Sequence, residues 1–381
     1  MTGKGHEGTQ RALERAVAEF DIPGVVVEVK DADGTWFGTA GVADLATGAR
    51  RGPGELLPIG SGGKAFTAAT ILTLEAEGRL GIEDPVHKWL PGALATNGYD
   101  GDKITIRHLL GNTGGLFATG LAPELVSGYA SRSRFAEHRF DVWTLDDLLR
   151  LAVSQPPVGE PGERFVYANG GYYFARAIIE KVTGNSHADE VERAVIRPLG
   201  LTSTYARPDT ETGYRGPHPR AYSTQFYRDG VDPADVTSDN WESMMEDPGL
   251  EPLDVTEFNT SWETGNLIST TGDMIRFIEA MVGGGLLPPA QHRKMWTTVP
   301  TEGANWLPHT RYGLGMFELD RAVTGGRVVR GVGGSYWGHM FCALGAPDDG
   351  RTVAFHTNKE ATGWDLLFKI VEMEFGITID A

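Results

Sequence analysis

Apolar positions fall into three regimes along the chain. Residues 9 to 20 space them as one face of an amphipathic helix. "GVVVEVKDADGTWFGTAGVAD" then gives two β-rich runs around Asp33-Gly34, a hairpin signal. The middle of the chain changes to a helical period: 64 to 79, "TIRHLL" from Thr105, "TLDDLLRLAVS" from Thr144, "GYYFARAIIEKVTG" from Gly171 and "STTGDMIRFIEAM" from Ser269. The last begins with a Ser/Thr–Gly–Asp cap. Strands return near the end in "RYGLGMFEL", "GRVVRGV", "GHMFCALGA" and "RTVAFHTN", with "PDDG" at 347 to 350 turning between the last two. A final helix runs from about Thr362 to Phe375. There are no internal repeats.

Strands at both ends with helices between predict an α+β fold. Its antiparallel sheet is built from the two chain ends and flanked by helices, with a mostly helical region inserted. Residues 1–80 and 310–381 then form a discontinuous sheet domain, and 81–309 a helical one. Within the latter, 207–263 has no clear period and is rich in Pro, Asp and aromatics. From Asp229 to Glu263 there are eleven acids and no Lys or Arg. A long irregular segment is a functional lid or a mobile loop; a solvated acidic surface loop is the alternative. Tyr222, Phe226, Tyr227 and Trp241 favour a lid. Its acids, Asp235, Asp239 and Glu242 among them, would attract a cationic amine.

Forty per cent hydrophobic residues and nine tryptophans in 381 residues suffice for a sizeable core. The net charge of -17 argues against nucleic acid and anionic membranes as partners. The one cysteine, Cys342, lies in an apolar run, forms no intramolecular disulfide and reads as a buried structural thiol. "MTGKGHEGTQRALERAVAEF" lacks the apolar core of a signal peptide, and no eighteen-residue apolar run exists. The expectation is a soluble cytoplasmic protein. No His, Cys, Asp or Glu spacing resembles a zinc or calcium site, so no metal or cofactor is expected.

"LLPIGSGGKAFTAATILTLEAEGRLG" carries the chemistry. Two glycines in the first turn of an apolar helix cost about 1 kcal/mol each relative to alanine. They separate Ser61 from Lys64, the only S-x-x-K in the chain. Positions i and i+3 share a helix face. Lys64 can therefore take the Ser61 proton, provided that burial and the positive helix end keep its amine neutral. Backbone N–H groups at the same helix start can hold an oxyanion. Gly62 and Gly63 would leave room for substrate. The plain alternative is a Ser N-cap beside a solvated Lys. A phosphate loop would need glycine at Pro58 and Ser or Thr at Ala65; a G-x-S-x-G elbow would need glycine at Ile59.

Tyr167-Ala168-Asn169 is likewise the only Y-x-N. Tyr167 is a candidate proton carrier and Asn169 a candidate contact for a substrate amide. In "VVRGVGGSYWGHM", Gly333-Gly334 would admit a substrate backbone, and the Ser335 N–H would be the second oxyanion donor.

In that order the three motifs resemble the serine β-lactamase-like superfamily: class C β-lactamases, D,D-carboxypeptidases, D-aminopeptidases, D-amino acid amidases, family VIII carboxylesterases and statin side-chain acyltransferases. "ITIRHLLGNTGGL" resembles a family stretch that usually has His where Asn112 stands. "RPLGLTSTYA", "NLISTTGDMIRF" and "RYGLGM" extend the likeness over nearly the whole chain. The resemblance implies a β-lactamase/transpeptidase-like fold and two-step acyl transfer on a small ester, amide or peptide-like substrate. Ser61 would be the nucleophile, Lys64 its base and Tyr167 the general acid/base. Asn169, Gly334, Ser335, Trp337 and His339 would contact substrate, His339 much as the "PGH" of the D-amino acid amidases. The third motif departs from the pattern. Lactamases have Lys-Thr-Gly and peptidases His-x-Gly, against Val332-Gly333-Gly334 here. Valine neither holds a carboxylate nor relays a proton, which counts against lactamase and carboxypeptidase activity. Arg330 is the nearest cation in the motif's own strand. The leading expectation is a serine hydrolase acting through acyl-Ser61. A transacylase and a catalytically silent binding protein are the alternatives.

Overall fold

Asp31 and Gly34 close the predicted hairpin. The Asp31 carboxylate accepts the Asp33 N–H at 2.9 Å, joining strand β1 (Gly24–Asp31) to β2 (Gly34–Gly41). The structure, a computed structural model, describes residues 5–379 apart from 130, 238, 247–249, 263, 265, 305 and 361–363. Six further strands complete one antiparallel sheet: β3 (Val299–Pro300), β4 (Thr310–Tyr312), β5 (Phe317–Leu319), β6 (Arg330–Tyr336), β7 (His339–Gly345) and β8 (Thr352–Thr357). Their order is β2-β1-β8-β7-β6-β5-β4-β3, so β1 pairs directly with β8, Val25 opposite Thr357. The sheet is thus assembled from distant parts of the chain, as the pattern predicts. β3 lies outside the 310–381 span, and Leu57–Pro58 pairs instead with Leu267–Ser269 in a separate small sheet.

Strand alternation sorts side chains to two faces. Val25, Val27, Val29, Cys342, Leu344, Val353 and Phe355 share one core with α1 (Glu7–Glu19) and α5 (Asp365–Phe375). Phe341, Ala343 and Ala354 face the other way, into the core of the helical region. There α2 (Gly63–Ala76) is buried on nearly all sides, as expected of a helix that is apolar all round. It packs against α3 (Gly170–Thr183) and near α4 (Thr271–Gly283), where Phe66 stacks on Phe277 at 4.1 Å. Thr270 caps α4 by accepting the Asp273 N–H at 3.1 Å. The final helix begins at Asp365; its predicted start at Thr362 lies outside the described residues. No described helix is long and apolar enough to cross a membrane.

The segment 207–263 is less irregular than its sequence suggests. Tyr222–Ser223 pairs with Leu253–Asp254. Tyr222 and Phe226 are buried and serve the core, while Trp241 packs with Tyr227 around Val236. Two of its acids are held by outside arginines, Glu246 by Arg132 and Asp209 by Arg176, both at 2.9 Å, and Asp254 is held by Arg220 of the segment itself at 3.0 Å. Asp235, Asp239 and Glu242 stay exposed.

Candidate active site

A single tight turn, Gly60–Gly62, leads into α2 and leaves Ser61 half-buried at its mouth. One helical turn on, Lys64 is 1% exposed. Its Nζ donates to Ser61 Oγ at 2.9 Å and to Thr264 Oγ1 at 3.0 Å. The same Nζ lies 4.8 Å from the centre of the Tyr167 ring and 5.5 Å from that of Tyr172. Gly62 lines neither of the two cavities described below and packs against Ile59 and Phe341. A Cβ at Gly62 would make only ordinary contact with them, at 3.4–3.5 Å.

Tyr167 is clamped from both sides by one residue. Asn112 accepts the Val166 N–H on its carbonyl at 2.8 Å and the Ala168 N–H on its side-chain oxygen at 3.1 Å. Asn112 does this with φ of 54°, a conformation asparagine adopts more readily than most residues. The Tyr167 ring stacks on Trp306 at 4.3 Å. The neighbouring phenols of Tyr172 and Tyr312 are pushed well above the ordinary tyrosine range by burial and stay protonated.

Asn169 stands at the N-cap of α3 but makes no capping bond. Thr119 Oγ1 takes the Gly170 N–H instead, at 2.9 Å. The Asn169 Oδ1 is buried with no protein partner, and so is Trp306 Nε1. Buried polar atoms are rarely left unpaired, so such atoms beside a cleft point to a ligand.

β6 supplies the opposite wall. β5 pairs with it only at Arg330 and Gly331. Beyond that, its free edge lies against the Ser61 turn. A Cβ on Gly334 would stand 2.3 Å from the Ile59 carbonyl oxygen and 2.5 Å from the Ser61 nitrogen. Only glycine permits that approach. Gly60 has φ of 49°, with the Tyr336 ring 3.0 Å from the place of its missing Cβ.

Ser61, Tyr167, Gly333, Gly334 and Ser335 border a cavity of about 160 Å³. On the far side of Tyr167, a cleft of about 1240 Å³ is bordered by Phe117, Asn169, Trp241 and Glu302. Five of the sequence candidates, Ser61, Lys64, Tyr167, Gly334 and Ser335, therefore meet at one point, with Asn169 next to them. Trp337 and His339 do not join them. Trp337 Nε1 donates to the Gln225 carbonyl at 2.9 Å, and its ring packs edge-on against Phe258 and Trp262. His339 is 2% exposed and bonded to His356 at 3.1 Å. Burial, with Arg51 nearby, holds both imidazoles well below the ordinary histidine range. Val332 is buried in the core, and Arg330 is bonded to Glu318 at 2.9 Å and stacked on Trp296, so neither brings a positive charge to the cavity. Cys342 is buried, as its apolar surroundings predict. Thr264 and Trp306 carry no sequence signal that would have placed them here.

Residues 9–370 match the family model described as Beta-lactamase. Penicillin-binding protein 4* of Bacillus subtilis (strain 168) is 27% identical over 354 residues, 92% of this chain and 71% of that protein. A D-stereospecific amidohydrolase from Streptomyces sp. superposes with a TM-score of 0.83 at 34% identity, over 98% of this chain and 99% of that one. The D-amino acid amidase from Ochrobactrum anthropi SV3, solved with L-phenylalanine amide, shares the fold at 20% identity, with a TM-score of 0.76 over 97% and 98% of the two chains. The fold expected from the three motifs is the fold of these structures.

Proposed function

Since the chain belongs to the beta-lactamase family and is a serine acyl-transfer enzyme, we propose that it hydrolyses a small amide or ester through an acyl-Ser61 intermediate. Lys64 Nζ takes the proton from Ser61 Oγ as that oxygen attacks the substrate carbonyl. The reading rests chiefly on the 2.9 Å contact between these atoms, made by a lysine that is almost wholly out of water. Burial favours the uncharged amine that a base must be. The backbone N–H groups of Ser61 and Ser335 hold the tetrahedral oxyanion. Tyr167 delivers a proton to the departing amine or alcohol, and water then attacks the acyl-enzyme with the proton transfers reversed. Asn169 Oδ1 accepts from a substrate N–H, using the lone pairs that capping leaves unspent. The name of the Streptomyces relative favours an amide over an ester.

A second reading keeps the same intermediate and passes the acyl group to an amine. The cleft of about 1240 Å³ beside Asn169 favours it, because it has room for a second nucleophile besides water.

The test compares wild type with Ser61→Ala on short-chain p-nitrophenyl esters. Chromophore release should vanish in the variant; equal release from both removes Ser61 from the mechanism. Product analysis with added amine then separates hydrolysis from transfer.

A further inference from the structure

Among the described residues, none that lines the cavity beside Ser61 is charged. We propose that it receives the leaving group of the substrate as an uncharged, apolar moiety of about phenyl size, with Gly333 setting the limit on that size. The inference rests on the acyl-Ser61 reading and narrows it.

Position argues first. Tyr167 borders both the cavity and the large cleft that Asn169 borders, and Trp306, stacked on it, borders the cavity. Tyr167 carries the proton to the departing atom, so the group bonded to that atom lies on the Ser61 side of the stack. The acyl portion is left to the Asn169 side.

Chemistry argues second. Phe317, Met340, Cys342, Trp364 and Leu367 form the floor and far wall. Burial pushes the Cys342 thiol far up, so it stays neutral. A carboxylate brought here would lose its water and gain no cation, because Val332 is buried in the core and Arg330 is engaged with Glu318. An apolar ring has no such penalty.

Size argues third. The cavity measures about 160 Å³, close to the ~150 Å³ apolar cavity that accommodates benzene. Gly333 lies across the ladder from Cys342, on the same face of the sheet. A Cβ on Gly333 would stand 3.2 Å from the Phe341 oxygen and 3.8 Å from Cys342 Sγ. Strands β6 and β7 can yield the small shift it needs, and any longer side chain would occupy the cavity itself.

The experiment uses esters of one acyl group, the best from the p-nitrophenyl series, with methanol, benzyl alcohol and mandelic acid. The benzyl and mandelate esters share a phenyl ring and differ by one carboxylate. All three yield the same acyl-enzyme, so kcat/KM reports the leaving group. The benzyl ester should exceed both others by about tenfold or more, since a few well-packed carbons discriminate on that scale. Gly333→Val should lower the benzyl-to-methyl ratio by about tenfold. Leu367→Phe, which fills the cavity from helix α5, should do the same. Mandelate turnover equal to benzyl overturns the proposal, and so does a ratio unmoved by both variants. Ser61→Ala serves as the control. Turnover that survives it sinks the acyl-Ser61 reading itself, whatever the ratios show.

Discussion

Lys64 has no second base to fall back on in the proposed chemistry. Lys64→Met keeps the length of the side chain and removes the amine; kcat should fall by about 10²–10⁴, the usual contribution of a positioned base, in steady-state ester assays. Asn112 acts one step removed, through Tyr167. Asn112→Ala leaves the Ala168 N–H without its acceptor, a loss of about 1–3 kcal/mol. Thermal denaturation should register that loss, and kcat should drop with little change in KM, because the tyrosine moves while the binding cavities remain. An unchanged kcat would make Asn112 merely structural. Ser61, Lys64, Tyr167 and Asn169 were legible in the sequence because each pair lies within one turn or one short loop. Thr264 was not, since it reaches Lys64 from 200 residues away and a lone threonine has no distinguishing neighbours. His339 and Trp337 lie away from the cavity for a related reason: being next to the motif does not say which face of a strand His339 takes, nor which way Trp337 points from the turn between β6 and β7.

Among the elements, β6 outruns its own apolar alternation. The pattern in "GRVVRGV" ends at Val332, and Gly333-Gly334 carry the strand on to Tyr336. Glycines are poor strand formers, and these are held by β7 on one edge and the Ser61 turn on the other. "RYGLGMFEL" likewise reads as one strand and is two, β4 and β5. Gly315 turns between them with φ of 77°, its absent Cβ placed 2.7 Å from the Lys64 carbonyl oxygen. The long helices are legible nearly to their ends, because a 3.6-residue period needs no partner to be visible, whereas short ones such as Arg132–His138 and Pro289–Met295 show too little of it. Gly334→Ala should push β6 away from the Ser61 nitrogen. We expect kcat/KM to fall by about 10² or more, as when one oxyanion donor is lost, with the circular dichroism spectrum retained. Full activity in Gly334→Ala would mean that the close approach has no part in catalysis.

For the molecule as a whole, the histidines that burial holds below their ordinary range, half-buried His108 and the buried His187, His339 and His356, set the response to mild acid. Burial lowers His187 to about 3 and holds His339 and His356 well below the ordinary range. Unfolded, each takes a proton below about pH 6.5; folded, it does not. The unfolded chain therefore binds more protons as the pH falls. The stabilising contribution is complete above about pH 6.5 and is lost progressively toward the folded values. Glu360, raised by burial, works in the opposite sense and offsets part of the loss. Tm should be flat from about pH 8 to 7 and decline below about 6.5, with a shallower decline in His187→Gln. A Tm that rises on acidification would contradict this. The fold class was legible because strands cluster at both ends of the sequence, whereas the pairing of Val25 with Thr357 leaves no local trace. That pairing has a consequence during synthesis. While the ribosome is still translating the helical region, the β1–β2 hairpin has emerged with one apolar edge bare, and its partner is not yet made. The edge stays open until β8 leaves the exit tunnel, which makes the half-made chain a client for chaperones and prone to sticking to its neighbours on a polysome.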